Sequence, residues 1–417
     1  MKILLKNAVI IDKTSKHHQT KKDVLIQDGI IKEIAPTIEP TDAFEEVHKE
    51  NLHISQGWFD SSVSFGEPGY EERETIENGL KVAASGGFTA VAMNANTFPL
   101  ADNRGILQYI QTKAKNHAVS LFPVGALTME SKGKDLAELY DMKQGGAISF
   151  YDYKKPITNA NLLKLALQYT QAFQGLVQSF PLEMSVANKG FVHEGIHSTS
   201  LGLKGIPSFA EELQIARDIK ILEYTGGKLH IPTISTKNSV ELIRNAKAKG
   251  LNVSCSVAVF NLMLTDEILN TFDTNYKLLP PLREAEDIQA LLEGLIDGTI
   301  DGVTSDHNPM DIEHKKMEFD LASYGSIGLE ACFGALNQVL DISLTIKVLT
   351  NLKKIFGIEG KSIAKNNPAN LTLFNPEVSW KFKDSDIISS SKNAALLNQN
   401  LRGKVYGIFS NNQLIIS

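Results

Sequence analysis

The chain has 417 residues, 42% hydrophobic and 22% charged, with a formal net charge of −6 at pH 7. Its length suits a large barrel with a smaller companion domain, and its mildly acidic balance excludes the basic footprint of a nucleic-acid binder or of a protein held on anionic lipid. Only Cys255 and Cys332 are present, which excludes a disulfide framework and fits a reducing compartment.

The opening run Met1-Lys2-Ile3-Leu4-Leu5-Lys6 is too short for a secretory signal and reads as a strand. No apolar stretch approaches the ~18 residues of a membrane span, so the expectation is a soluble, cytoplasmic protein. Residues 3–11 and 23–34 are strand-like. Asp28-Gly29 marks a two-residue hairpin, because both positions tolerate positive φ. The segment 13–22, with His17 and His18, reads as a solvated loop. From residue 88 strand and helix patterns alternate: strands at 88–93, 119–124, 147–150, 228–231, 251–256 and 302–305, and helices at 102–115, 209–225, 237–249 and 285–296. Repeated βα units imply a parallel sheet, and about 300 residues of them favour closure into a ring. Short strands return at 370–374, 405–409 and 413–416, the last two joined across Asn411-Asn412. The expected class is α/β: a (β/α)8 TIM-type barrel over 56–364, beside a small β-sandwich built from both chain ends, 1–55 plus 365–417.

The segment Asp60-Ser61-Ser62-Val63-Ser64-Phe65-Gly66-Glu67-Pro68-Gly69 resembles the signature of dihydroorotases of the amidohydrolase superfamily, with its chemical residues replaced. In that family the first barrel strand ends in His-x-His, then an arginine and an acidic-Pro-Gly turn. Here the histidines are Ser62 and Ser64, and the arginine is Gly66. Further blocks extend the resemblance over nearly the whole chain: Gly86-Gly87-Phe88-Thr89, Asn94-Ala95-Asn96-Thr97, Leu201 through Pro207 with Glu211, Lys277 with Pro280-Pro281-Leu282-Arg283, Ser305-Asp306-His307-Asn308-Pro309, and Gly328-Leu329-Glu330.

Active relatives hold zinc with histidines and carboxylates at strand ends. By the resemblance those positions are Ser62, Ser64, Ser179 and Thr233 here, with His230 three residues before Thr233. A Pro-His-His segment is Val259-Phe260-Asn261, the asparagine before the Pro-Pro pair is Leu279, and a closing histidine is Met310. Asp152 and Asp306 are the carboxylates left. They could offer oxygen to a weak magnesium or calcium site, but no metal-ligand set is assigned and no cofactor is expected. Zinc lowers the pKa of bound water from 15.7 to about 7, so its loss removes up to ~8 powers of ten in hydroxide fraction. One general base restores only about 10²–10⁴-fold.

Asp306 is the vestigial catalytic candidate, with two readings: a surviving base, or a hydrogen-bonded strand-end carboxylate left from ancestry, the second preferred. Asn96 is the vestigial substrate-binding candidate, with turn formation as its other reading. His193 and His197 are four apart, a metal-ligand spacing on a helix, but with Gly195 between them in a loop they read as ordinary surface histidines; His307 reads as an orienter of Asp306 or a core histidine. Tyr151, Tyr153 and Phe260 read as filler of a former cavity.

The resemblance therefore implies a non-catalytic homologue in pyrimidine biosynthesis. It implies a homo-oligomer and a structural role, with aspartate transcarbamoylase as candidate partner. Two alternatives stand beside it: an active cyclic-amide hydrolase with an unusual site, and a pyrimidine-binding module without turnover.

Overall fold

The computed structural model describes residues 1–40 and 44–417. Strands β1 (Lys2–Ile11), β2 (Lys21–Gln27), β3 (Ile30–Ala35), β4 (Glu45–Val47) and β5 (His53–Gln56) come from the first part of the chain. The β2–β3 hairpin turns at Asp28 (φ 51°) and Gly29 (φ 77°), the left-handed pair that the Asp-Gly step allows. The central region supplies β6 (Trp58–Val63), β7 (Phe88–Met93), β8 (Ser120–Pro123), β9 (Val177–Gln178), β10 (Val192–His193), β11 (Gly205–Ile206), β12 (Leu229–Ile231), β13 (Val253–Ala258) and β14 (Gly302–Thr304). The chain ends with β15 (Leu371–Lys381), β16 (Asn400–Ser410) and β17 (Gln413–Ile416).

Both chain ends merge into one eight-stranded sheet, ordered β17-β16-β15-β5-β1-β2-β3 with β4 on β1. Hydrogen bonding is continuous through it, and an Ile30–Pro368 bridge brings its β3 edge back towards the start of β15. The sheet thereby encloses its own core of Ile3, Leu5, Ile10, Val24, Ile26, Ile54, Leu371, Leu373 and Phe409.

The central strands pair in parallel: β6 with β7, β7 with β8, β9 with β12, β12 with β13, and β13 with β14. Single parallel bridges complete the circuit through Gly125–Phe150, Phe150–Val177 and Val63–His307. Eight parallel segments (β6, β7, β8, Phe150, β9, β12, β13 and β14) thus form a circuit that returns to its first strand. Every residue of β6, β7 and β13 is buried, the pattern of strands covered on both faces. The expected 147–150 strand is short: its bridges fall at Phe150, beside backbone bonds from Ile148 N–H to the Pro123 carbonyl and from Gly125 N–H to the Ser149 carbonyl.

Helices alternate with the strands, and several begin at side-chain caps. Thr75, Asn103 and Thr236 accept from backbone N–H groups of the helices Ile76–Ser85, Arg104–Lys113 and Lys237–Ala248. The helix Phe209–Thr225 has the predicted bounds. Trp58 locks the ring to the end sheet: its ring stacks on Phe333 and Phe374, and its Nε1–H donates to Ser55.

Asp60 holds the circuit closed. Its buried carboxylate, on β6, accepts from Ser62 N–H, Ser305 N–H and the Thr304 hydroxyl on the β14 side. Burial pushes its pKa up to about 6, against the pull of these donors.

Candidate functional site

The C-terminal ends of the ring strands converge on Asp306, the residue two places beyond β14. Its backbone is left-handed (φ 47°), which aspartate tolerates better than most residues. Its side chain is buried and fully engaged. Lys154 Nζ donates to Oδ2 at 2.7 Å, while Ser62 Oγ (3.3 Å) and Tyr153 OH (3.4 Å) donate to Oδ1. Burial raises the Asp306 pKa, and Lys154 chiefly opposes that shift.

Around this ion pair the strand ends carry hydroxyls, most of them bonded to carboxamide or carboxylate groups. Asn94 Nδ2, just beyond β7, donates to both Ser62 Oγ (3.1 Å) and Ser64 Oγ (3.3 Å). Ser64 in turn donates to Asn96 Oδ1 at 3.1 Å, so the two sequence candidates Asn96 and Asp306 belong to one network. Ser179, beyond β9, gives its proton to Asp218 at 2.6 Å. Thr233, beyond β12, is buried with φ 49° and an Oγ1 without a hydrogen-bond partner among the described residues. Positive φ at a β-branched residue is a strained outlier.

Several sequence expectations change here. Asp152 does not join Asp306. Its carboxylate accepts from Leu127 N–H, Thr128 N–H and Thr128 Oγ1, pinning a neighbouring loop. Tyr153 and Lys154, the next two residues, reach Asp306 instead. His307 does not touch the Asp306 carboxylate; its Nδ1 accepts from Gly328 N–H, and burial lowers its pKa to about 3. Phe260 packs in the main core against Gly328, whereas Tyr151 and Tyr153 meet edge to face at 5.8 Å. His193 is not a surface residue. It is 6% exposed on β10, because Arg283 reaches in and donates to its Nδ1 at 3.0 Å. Lys154 and Asn94 were missed by sequence reasoning; each immediately follows or opens a block already singled out, but neither is of a residue type that flags chemistry.

The chain is similar to known proteins over nearly its whole length. A family model described as Dihydro-orotase-like matches residues 53–239. The curated dihydroorotase of Geotalea daltonii is 38% identical over 411 residues, spanning 97% of this chain and 96% of that protein. Those of Pelotomaculum thermopropionicum (38% over 410 residues) and Acetivibrio thermocellus (36% over 422 residues) align across 97% and 99% of the chain. The chain belongs to the dihydroorotase family. Among solved structures, the L-hydantoinase (dihydropyrimidinase) of Arthrobacter aurescens superposes with a TM-score of 0.87 at 19% identity, covering 100% of this chain and 96% of that one. The D-hydantoinase of a Thermus species gives 0.84 at 20% identity, covering 99% and 95%. At such identities the likeness concerns the fold alone.

Zinc, which the dihydroorotase family implies, does not fit the strand-end donors of this chain. Serine and threonine hydroxyls are poor zinc ligands. The serines are already committed, Ser179 to Asp218 and Ser62 and Ser64 to Asn94 and its neighbours, which leaves Thr233, of these four strand-end residues, as the hydroxyl without a partner among the described residues. The one carboxylate at the centre carries an ammonium at 2.7 Å, whose charge repels a second cation. His230 offers no ligand either, because both of its ring nitrogens are bonded, to Ser254 Oγ and Ser256 Oγ.

The fold is held by a different set of buried carboxylates in this dihydroorotase-family chain. Buried Glu211 accepts from Ser235 N–H, Thr236 N–H and Ser239 Oγ. It lies 3.6 Å from the Arg283 guanidinium. Glu67 accepts from Ile76 N–H, Tyr109 OH and Lys113. Among the described residues no helix is long and apolar enough to cross a membrane.

Proposed function

We propose that this chain is a non-catalytic dihydroorotase homologue of pyrimidine biosynthesis, acting in the cytoplasm as a structural subunit. The observation that carries this reading is the Lys154–Asp306 ion pair, closed over by the Ser62, Ser64 and Asn94 network. Catalysis of ring opening needs a nucleophile at the amide carbonyl, and general-base help alone supplies about 10²–10⁴-fold. Asp306 is a poor base in this setting, since its acceptor oxygens are already bonded and an ammonium holds its charge. Asn96 keeps a place at the rim as a former substrate contact. Self-association and assembly with aspartate transcarbamoylase are the roles left to such a subunit, with the intact fold as their support.

The decisive assay is turnover of dihydroorotate and of N-carbamoyl-aspartate by highly purified protein supplied with zinc. The expected result is no turnover above background. A rate of ~1 s⁻¹ or more, abolished by Asp306→Ala, would instead establish a working hydrolase with an unusual site. The partner is tested separately, by co-elution of the purified chain with aspartate transcarbamoylase; separate elution at micromolar concentrations would remove that partner.

A further inference from the structure

Away from the strand-end network, three side chains from distant parts of the sequence meet beside a surface recess lined by Gly195, Ile196, Thr199, Ser200 and Glu284. His193 comes from β10, Asp266 opens the helical turn Asp266–Thr271, and Glu284 caps the helix Ala285–Asp297. One ligand atom from each lies within 4.8 Å of the other two. The geometry points to a second site, a divalent transition-metal site of the zinc type, held by His193 Nε2, Asp266 and Glu284.

Four observations support it. First, Asp266 is 3% exposed, and its Oδ2 has no hydrogen-bond partner among the described residues. A buried carboxylate oxygen left bare is costly, and a cation would satisfy it. Second, His193 Nε2 already stands 3.7 Å from Glu284 Oε1. Ligands ~2.0–2.1 Å from a tetrahedral zinc lie ~3.3 Å apart, so no pair must close by more than ~1.5 Å. Third, the charges suit a dication. Arg283 beside His193 is offset by Glu211 at 3.6 Å, leaving the Asp266 and Glu284 carboxylates to face the ion. Fourth, one imidazole and two carboxylates supply three ligands of types that zinc accepts, with the recess side left open for water.

Arg283 sets the limit on affinity. It can only donate, so His193 Nδ1 is an acceptor in the ion-free protein and the neutral ring carries its proton on Nε2. Ion binding moves that proton to Nδ1 and forfeits the Arg283 bond, while Arg283 Nη1 keeps the Ile206 carbonyl at 3.2 Å. The bound ion would staple β10, the Asp266 turn and the Glu284 cap, adding to the apolar cluster that Val192 and Leu269 share and to the Arg283 contacts.

The test is equilibrium dialysis of the full chain against zinc chloride near neutral pH, with metal counted by mass spectrometry. The expected result is one zinc per chain, lost in Asp266→Asn, weakened at least tenfold in Glu284→Gln, and unchanged in Asp306→Asn. Glu284 has a side chain 55% exposed, so Glu284→Gln keeps the fold even if Asp266→Asn does not. No bound zinc, or zinc indifferent to Glu284→Gln, overturns the site. Zinc lost only in Asp306→Asn would place the ion in the strand-end network, overturning both this site and the reading of that network as unfit for metal.

Discussion

Between pH 7 and pH 5 the buried histidines are expected to withdraw about 6 kcal/mol of folding stability, roughly 2 kcal/mol from each of His193, His230 and His307. Burial holds His230 and His307 near 3, with Lys247 adding to the shift at His230; burial and Arg283 hold His193 near 4. All three lie below the ~6.5 of an unfolded histidine. For a depressed pKa the sign is fixed. Above about 6.5 neither state binds the proton and the contribution is fully present; as pH falls towards 3 or 4 only the unfolded chain takes it up, and stability is lost. Asp60, raised to about 6, acts in the opposite sense and returns about 1 kcal/mol over the same interval. Buried Asp152, Asp218 and Asp306 are shifted in the same direction as Asp60. The histidine contribution is isolated by comparing urea midpoints at pH 7 and pH 5 for wild type, His230→Gln and His307→Gln. Each variant should lose about 2 kcal/mol less than wild type across that interval. Equal losses in all three proteins would show that these rings are protonated, or solvated, in the folded state.

Lys154→Met should destabilise the fold by about 3–5 kcal/mol, since it leaves the Asp306 carboxylate buried without its cation. The side chains are 10% and 6% exposed, so water offers little replacement. The loss should grow with pH. Without Lys154 the Asp306 pKa rises further, and a raised carboxylate is tolerated when protonated but penalised as pH climbs through its folded value. The double variant Lys154→Met/Asp306→Asn should recover most of the stability. Asparagine keeps the left-handed backbone at φ 47° and removes the charge. Urea unfolding of the two single variants and the double variant gives the coupling energy. A coupling near zero would mean that the ammonium does not compensate Asp306, and the main support for the non-catalytic reading would fall with it.

Much of the fold was legible because its signals are local. The Asp28-Gly29 and Asn411-Asn412 turns carry positive φ at both central residues, as such hairpins require. The helix Phe209–Thr225 and the buried strand Phe88–Met93 show their periods within a single window. The apolar run at 147–150 does take a place in the ring, bonding Pro123 and Gly125 on one side and Leu176 and Gln178 on the other, although its bridges fall at Phe150 alone. The length of β15 was missed: beyond Phe374 it carries Pro376 and charged residues, and remains a strand because β16 pairs with it as far as Lys381.

From the sequence alone come the family likeness and the residue types at the strand ends, hydroxyls at Ser62, Ser64, Ser179 and Thr233. Residue type decides which atoms are available, so the absence of imidazole at those four positions needed no coordinates. Only the tertiary structure decided which of the remaining groups meet. Asp152 and Lys154 are two residues apart, yet one pins a loop and the other neutralises Asp306 across 152 positions of sequence. His193 looked exposed beside Gly195 until Arg283, 90 residues on, closed over it. Such pairings depend on the direction a side chain takes as it leaves a strand end, and that direction is set by contacts between elements far apart in the chain.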